Sequence, residues 1–228
     1  MKYFLFLLFS WPIALCAQDS RYVPFAHYDS LPGFLFNYND SLGWSTWVGY
    51  ELTPGELVKN AQRKNYFKPW CKNEDVCSPM SKLYKGSGYD RGHMFPAGDA
   101  VLNQTRMDGS FFTVNISPQH PGLNRVCWRI LEEQIRERVR RSNSRCYIIT
   151  GPIPGDSLMA GRVNIPLAYF KAIFWIDELE MDGYLISNNK TSLRPPVFRL
   201  SMDSLEVLLG WDLFHQLPDS LEVEIEKK

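Results

Sequence analysis

Residues 86–100 of the chain read GSGYDRGHMFPAGDA and place three ionisable side chains within four positions. Asp90 is an acid, Arg91 is a fixed cation, and His93 can accept a proton near neutral pH. The glycines around them and Pro96, which cannot sit in a central strand, predict a glycine-broken turn. A hairpin tip would need only glycine and polar residues. The three side chains therefore indicate a site that handles a charged substrate.

The composition of the whole chain predicts one globular unit. Its 228 residues are 45% hydrophobic and 14% aromatic, which is enough to bury one sizeable core. The formal net charge is zero. A polyanionic partner would therefore have to be met by a local basic patch, because the field of the whole protein would not attract it.

The first 17 residues, MKYFLFLLFSWPIALCA, have the layout of a cleaved secretory signal. An early lysine precedes an apolar run that is too short to span a bilayer comfortably, and small residues follow. We therefore expect one mature domain over residues 18–228, a secreted or periplasmic location and no stable membrane association. Lipidation of Cys16 is a minor alternative, since Leu15 is bulky where such a signal needs a small residue.

Four cysteines remain after the predicted signal, and an exported chain is permitted to form disulfides. Cys71 and Cys77 enclose the short polar loop KNEDV and are the predicted pair. Cys127 falls on the apolar side of a predicted helix, so a packed thiol is the alternative there. The pattern does not favour zinc, because no close C-x-x-C pair is present.

Apolar runs bounded by glycine, proline or aspartate predict the strands of one mainly antiparallel sheet. They are WSTWVGYEL (44–52), FFTVNISPQ (111–119), CYIITGPI (146–153) and AYFKAIFWID (168–177). Near the C-terminus, a capped helix is predicted to begin near Asp203 or Ser204 and to end at Gly210. The fold class predicted from these elements is α+β, with a central sheet flanked by helices.

Residues 124–144, NRVCWRILEEQIRERVRRSNS, have apolar side chains at spacings of three and four and predict an amphipathic helix. At about 100° per residue, four charged side chains share one stripe, with Asn124 beside them at the helix start. The four are Arg125, Arg129, Glu132 and Arg136. The alternative is a solvated face on which Glu and Arg pair at i and i+4.

The ordered motifs of the chain identify a family. They are YDRGHMFPA and, after a short interval, NISPQHPGLNRVCWRILE, and further similarity extends over most of residues 40–225. The chain resembles the DNA/RNA non-specific endonucleases, the secreted and mitochondrial-type nucleases with a DRGH motif. DRGH alone is a weak signal, but DRGH, N-x-x-P-Q, N and W-x-x-L-E in this order are a strong one. The resemblance implies a ββα-metal (His-Me finger) fold.

The resemblance also implies roles for the central residues. His93 matches the general base, and Asn124 matches the single protein ligand of a divalent cation. Mg²⁺ is expected and Mn²⁺ is an alternative, because hard cations prefer oxygen ligands and keep several waters. Glu132 matches a residue that orients metal-bound water. Asn115 matches a position that lines the same site and supports the turn that carries His93.

Several arginines complete the implied site. Arg91 matches a phosphate contact, and Arg136 matches an arginine that stabilises the charged transition state, a task suited to forked guanidinium donors. Arg63 is the best match to an upstream arginine that reaches the phosphate, although the segment after it departs from the family pattern. Arg125 and Arg129 are expected to add substrate affinity, which should fall steeply with salt.

The leading hypothesis is a secreted or periplasmic, Mg²⁺-dependent endonuclease that cleaves both DNA and RNA. An inactive nucleic-acid-binding relative is the alternative, but a pure binder has no chemical need to keep both His93 and Asn124. A zinc phosphoesterase would need more histidines than the four in the chain. Asp90 is expected to cap the turn or to pair with an arginine. The preference between DNA and RNA and a homodimeric state stay open.

Overall fold

The computed structural model describes residues 22–189, 197–218 and 225. The predicted signal at residues 1–17 lies outside them. Eleven strands are present in the described residues: β1 (Asp29–Leu31), β2 (Phe34–Asn39), β3 (Trp44–Leu52), β4 (Asp90–His93), β5 (Ile116–Gln119), β6 (Cys146–Ile153), β7 (Ser157–Met159), β8 (Val163–Ile165), β9 (Ala168–Trp175), β10 (Glu180–Ser187) and β11 (Val197–Leu200). The α-helices are α1 (Gln104–Gly109), α2 (Arg129–Ser142) and α3 (Met202–Leu209).

A seven-stranded antiparallel sheet organises the described residues, in the order β1-β2-β3-β6-β9-β10-β11. The strands predicted at 44–52 and 146–153 have the predicted bounds, and the one predicted at 168–177 ends two residues earlier, at Trp175. These strands are long, apolar and bounded by turn residues, and such runs predict strands from sequence best. The predicted α+β class is confirmed.

Each face of the sheet is covered by helix. On one face, α2 buries Leu131, Ile135 and Val139 in the cluster that contains Ile148 and Ile173 of the central strands. Full burial of such a side chain contributes about 1.5–3 kcal/mol. On the opposite face, α3 packs with alternate residues of the same strands. Period-two alternation along the strands thus separates two apolar layers.

The prediction that residues 111–119 form a strand of the main sheet is wrong. The chain makes a 3₁₀ turn at Thr113–Asn115, and only β5 that follows is extended. The buried amide of Asn115 accepts a hydrogen bond from Phe95 N at 2.7 Å and donates to the carbonyls of Phe95 and Ser110. These tertiary hydrogen bonds bend the chain away from the sheet, although its apolar pattern favours a strand.

The DRGH segment forms strand β4, so the prediction of a turn at this position is wrong. It pairs antiparallel with β5 in a separate two-stranded sheet, with Asp90 opposite Gln119 and His93 opposite Ile116. The turn lies upstream, where Gly86 and Gly88 have positive φ values of 76° and 83°. Strands β4 and β5, which α1 separates along the chain, and the following helix α2 form a ββα unit.

Gly92 leaves room for a neighbouring side chain. A Cβ at this position would overlap the buried side chain of Gln119 across the β4–β5 pair. We expect Gly92→Ala to lower the free energy of unfolding by about 1–3 kcal/mol, since a packed neighbour would have to move. Urea unfolding would measure this. Gly55→Ala is the matched control, because its added Cβ would meet only Thr53 Oγ1, at 3.8 Å; equal effects of both substitutions would contradict the packing argument.

The predicted helix at 124–144 is confirmed as a helical segment, but its first turns differ from the expectation. A π-helical turn covers Leu123–Trp128, and α2 continues from it to Ser142. Asn143 then adopts a left-handed conformation with φ of 53° and ends the helix. A π-helical turn adds a residue and changes the direction of the side chains that precede it, and such turns are frequent at functional sites.

The C-terminal helix α3 begins at Met202, one residue before the predicted start, after the capping side chain of Ser201. It ends at Gly210 as predicted.

The predicted disulfide between Cys71 and Cys77 is present. Cys127 and Cys146 are buried thiols. In the described part of the chain, we find no helix with the length and apolar character needed to cross a membrane.

Candidate active site

One open cleft of about 680 Å³ collects eight of the nine predicted site residues. Strand β4, the π-helical turn, α2 and the loop before Phe67 form its walls. The eight residues are Arg63, Arg91, His93, Asn124, Arg125, Arg129, Glu132 and Arg136. Residues that are up to 73 positions apart thus meet in one place, because the β4–β5 pair lies beside the start of the long helix.

His93 lies at the end of β4 between two aromatic rings. The centroids of Phe111 and Phe67 are 5.0 and 5.6 Å from the centroid of its ring. The ring hydrogen-bonds to the backbone of Arg91, and Nε2 has no hydrogen-bond partner in the described residues. Nδ1 is therefore the donor to the Arg91 carbonyl. Burial, followed by the charge of Arg63, lowers the pKa of His93 to about 3, so the imidazole is neutral and its lone pair is on Nε2, which is itself buried.

The side chain of Asn124 is oriented by Asp90. Asn124 Nδ2 donates to Asp90 Oδ2 at 2.9 Å. Asp90 also accepts two hydrogen bonds from Arg125, at 2.8 and 2.7 Å. Burial raises the pKa of Asp90, but the hydrogen bonds from Arg125 and Asn124 outweigh it and lower the pKa overall, so Asp90 is ionised. Because the amide nitrogen is engaged, the Asn124 carbonyl oxygen is left to bind a ligand.

Glu132 and Arg136 belong to a partly buried network of charges. Arg136 Nη1 donates to Asp99 Oδ1 at 2.7 Å, and Tyr50 donates its hydroxyl to Asp99 Oδ2 at 3.1 Å. Glu132 lies 3.9 Å from Arg136, and its side chain is 13% exposed. Burial raises the pKa of Glu132 to about 7, against the opposing charges of Lys171 and Arg136. The network fixes one wall of the cleft.

The cleft is locally basic in a chain with no net formal charge. Five arginines line it against three acidic side chains. The guanidinium of Arg91 lies 4.5 Å from the centroid of Phe67, and Arg63 Nε donates to Asn65 Oδ1 at 2.7 Å. Arg129 pairs with Glu133 at 2.7 Å, as the solvated-face alternative predicts. The local basic patch that a polyanionic partner would need is therefore present.

Asn115 is the predicted site residue that does not line the cleft. It is fully buried, and two of its side-chain hydrogen bonds hold the backbone of Phe95, two residues after His93, while a third reaches the carbonyl of Ser110. Its backbone carbonyl also accepts from Met94 N at 3.0 Å. From the protein interior, Asn115 thus supports the segment that carries His93.

Several residues of the site were not predicted from the sequence. Asp99 lies within the DRGH stretch, and its position six residues after His93 is the only signal that could have suggested it. The sequence also gives no sign of a role for Phe67, Phe111 and Tyr50, which have the pattern of ordinary residues of strands or loops. Their contacts with His93 and Asp99 form only in the folded chain.

The cleft offers few ligands for a metal ion. Among the described residues, no group of three or more His, Cys, Asp and Glu side chains is arranged to hold one. A cation in this cleft would rely on the Asn124 oxygen, water and an anionic substrate. That donor set fits a hard cation such as Mg²⁺, which is usually bound through one or two protein oxygens and keeps several waters.

Comparisons with known proteins place the chain among nucleases. It is 29% identical to a nuclease of Nostoc sp. over 86% of this chain and 76% of the relative. It is 30% identical to the mitochondrial endonuclease G of Caenorhabditis elegans over 89% of this chain and 73% of the relative. The nuclease of Serratia marcescens is 26% identical over 86% and 77% of the respective chains.

A solved structure has the same fold. The crystal structure of the EndoG/EndoGI complex aligns with a TM-score of 0.70 at 27% identity, covering 84% of this chain and 87% of that chain. The predicted ββα-metal nuclease fold is confirmed by this likeness. The sequence profile of the DNA/RNA non-specific endonucleases matches residues 22–220. The chain belongs to that family.

Proposed function

We propose that the chain is a divalent-metal-dependent endonuclease that hydrolyses phosphodiester bonds in both DNA and RNA. The observation that supports this most directly is the meeting of a neutral histidine, an oriented asparagine and five arginines in one cleft. Hydrolysis needs a base for the water and positive charge for the pentavalent transition state. These residues can supply both.

His93 acts as the general base in this proposal. Its Nδ1–H bond to the Arg91 backbone fixes the tautomer, so the lone pair is on Nε2, which accepts the proton of a water that enters beside it with the substrate. Phe67 and Phe111 pack against the ring and hold it in place. Glu132 accepts hydrogen bonds from water beside Asn124 and orients it.

Asn124 would hold Mg²⁺, or Mn²⁺ as an alternative, through its amide oxygen. A bound cation would stabilise the negative charge that develops on the leaving oxygen. Because the Asn124 ligand is neutral, it does not cancel any of the charge of the ion. Asp90 keeps the amide nitrogen turned away from the ligand position.

The arginines neutralise the phosphate. Arg136 is held by Asp99, and Arg91 and Arg63 lie on the wall that also carries the aromatic rings. Contacts of this type reach phosphate and sugar, which are common to all sequences. Weak base selectivity and cleavage of both nucleic acids follow from them. A secreted or periplasmic location is part of the proposal and rests on the pattern of residues 1–17.

The proposal that one cleft cleaves both DNA and RNA can be tested with matched DNA and RNA oligonucleotides of one sequence, in the presence of Mg²⁺. We expect the mature chain from Gln18 to cleave both and the RNA to inhibit DNA cleavage competitively. His93→Ala should remove both activities together. Loss of one activity with retention of the other would contradict a common site.

Asp90 is expected to control metal binding although it is not a ligand. Asp90→Ala frees the Asn124 amide to rotate, and the loss of a residue that orients a ligand typically costs 10–100-fold in metal affinity or activity. We therefore expect the Mg²⁺ concentration for half-maximal cleavage to rise by about that factor. The titration of rate against Mg²⁺ measures it.

Arg125→Ala is the matched control for that substitution. It removes the ion pair with Asp90 but leaves the hydrogen bond from Asn124 intact. Because Arg125 is 68% exposed, we expect only a small change in the Mg²⁺ requirement. If both substitutions raised the requirement equally, the orienting role of Asp90 would be disproved.

A further inference from the structure

Lys171 is a buried cation to which the proposed mechanism assigns no role. It lies in the middle of β9 and is 0% exposed. Its ammonium nitrogen has no hydrogen-bond partner among the residues that the structure describes. A buried charge without such partners is costly, so it is kept only where another interaction compensates.

The side chain of Lys171 points to the face of the sheet that carries the cleft. The neighbours Phe170 and Ala172 belong to the apolar layer on the other face, whereas Tyr169 and Ile173 belong to the layer beneath α2. Period-two alternation therefore directs Lys171 toward α2.

The indole of Trp128 lies over the ammonium group. Lys171 Nζ is 4.5 Å from the centroid of the Trp128 ring, within the range of a cation–π interaction. Trp128 Nε1 donates to the His93 carbonyl at 3.3 Å, so this indole also forms the floor under His93. Glu132 lies one helical turn after Trp128, on the same side of the helix.

We propose that Lys171 is a positioning residue of the active site: its buried ammonium, which lies over the Trp128 indole one helical turn before Glu132, supplies a positive charge to the Glu132 carboxylate from the side of the sheet. This inference rests on the proposed function, because it assigns Lys171 a task through Glu132. Lys171 itself touches neither substrate nor solvent.

The charges around Glu132 support this assignment. Burial raises the pKa of Glu132, and Lys171 is the strongest of the charges that lower it, ahead of Arg136. The negative charges of Asp99 and Glu133 raise the pKa of Glu132. Burial lowers the pKa of Lys171, and Glu132 is the strongest charge that raises it. The two groups therefore stabilise each other in their charged forms.

The remaining groups near the pair do not replace Lys171. Arg136 is committed to Asp99 at 2.7 Å and lies 3.9 Å from Glu132. Tyr50 and Cys146 are neutral, because burial raises their pKa values well above the ordinary ones. Without Lys171, the charges near Glu132 in the described residues would be Asp99 and Glu133 against Arg136, so Glu132 would protonate at a higher pH.

The first test needs no metal, substrate or activity. Carbon-13 NMR of the metal-free protein, labelled at the glutamate carboxyl carbons, follows the titration of Glu132, whose signal is identified by its loss in Glu132→Gln. Lys171→Met should raise the Glu132 pKa by about one unit or more, the effect typical of removing a nearby opposite charge. An unchanged titration would overturn the proposal.

Two variants separate charge from packing. Ile173→Val perturbs the same layer of the same strand without a change of charge and should leave the Glu132 titration where it is in the wild type. Lys171→Gln is a second neutral variant, for use if Lys171→Met fails to fold, and should shift the titration in the same direction. A shift with Ile173→Val as large as that with the neutral variants would also overturn the proposal.

The second test uses the pH dependence of kcat/KM for cleavage. Removal of the cation favours protonated Glu132, so the acid limb should move to higher pH, and cleavage below that limb should fall about tenfold for each unit of displacement. A purely structural role would lower the rate equally at all pH values. Because NMR reports on the charge pair alone, an inactive wild-type protein would refute the nuclease proposal while leaving the NMR result interpretable.

Discussion

The substitution His93→Ala is expected to lower the rate of plasmid nicking by about 10²–10⁴-fold, the usual contribution of a positioned general base. In our proposal, His93 Nε2 accepts the proton, because the hydrogen bond from Nδ1 to the Arg91 backbone leaves Nε2 unprotonated. Binding of plasmid should persist, because the arginines that line the cleft remain. Rates under single-turnover conditions and binding in EDTA measure the two effects separately.

The exposed His215 provides the control for this prediction. His215→Ala removes an imidazole outside the cleft and should leave the rate unchanged. A His93→Ala protein that is folded and binds plasmid, yet nicks it within a few-fold of the wild-type rate, would contradict the assignment of His93 as the base. Thermal unfolding of both variants verifies that they are folded.

The substitution Asn124→Ala is expected to reduce cleavage by at least about 10²-fold, since a bound cation contributes several kcal/mol to transition-state stabilisation. Asn124 supplies the only protein oxygen assigned to the cation in our proposal, and its loss also removes the hydrogen bond to Asp90. The remaining rate should show a much higher Mg²⁺ requirement. A series of rates over a wide range of Mg²⁺ concentrations measures both quantities.

Asn124→Asp is the informative comparison for this prediction. It keeps an oxygen ligand but places a second carboxylate beside Asp90, so we expect more activity than in Asn124→Ala and less than in the wild type. An Asn124→Ala protein with the wild-type Mg²⁺ requirement would show that the cation binds elsewhere. Unfolding of each variant in EDTA separates metal effects from effects on stability.

The sequence predicted the parts of the fold that depend on local patterns. The runs at 44–52 and 146–153 became strands with the expected bounds because their length, apolar character and flanking turn residues act together. Helical periodicity likewise placed Arg129, Glu132 and Arg136 along one wall of the cleft. The DRGH motif and the residues that follow it identified the family.

The parts that the sequence did not predict depend on contacts between distant segments. DRGH became a strand because β5 pairs with it, and 113–115 became a turn because Asn115 bonds the backbone of residues 95 and 110. The pairing of Asp90 with Asn124 joins residues 34 positions apart. Lys171 lies in an apolar run whose pattern predicts a buried strand, and nothing local to it points to Glu132.

Nicking of supercoiled plasmid by the purified chain from Gln18, with Mg²⁺ and with EDTA, beside His93→Ala and Asn124→Ala, decides whether the chain is a metal-dependent nuclease. We predict rapid conversion to nicked and linear DNA with Mg²⁺, none with EDTA, and a strong loss in both variants. A wild-type chain that binds plasmid but does not nick it with Mg²⁺ or Mn²⁺ would contradict the account and would leave the cleft as a nucleic-acid-binding surface.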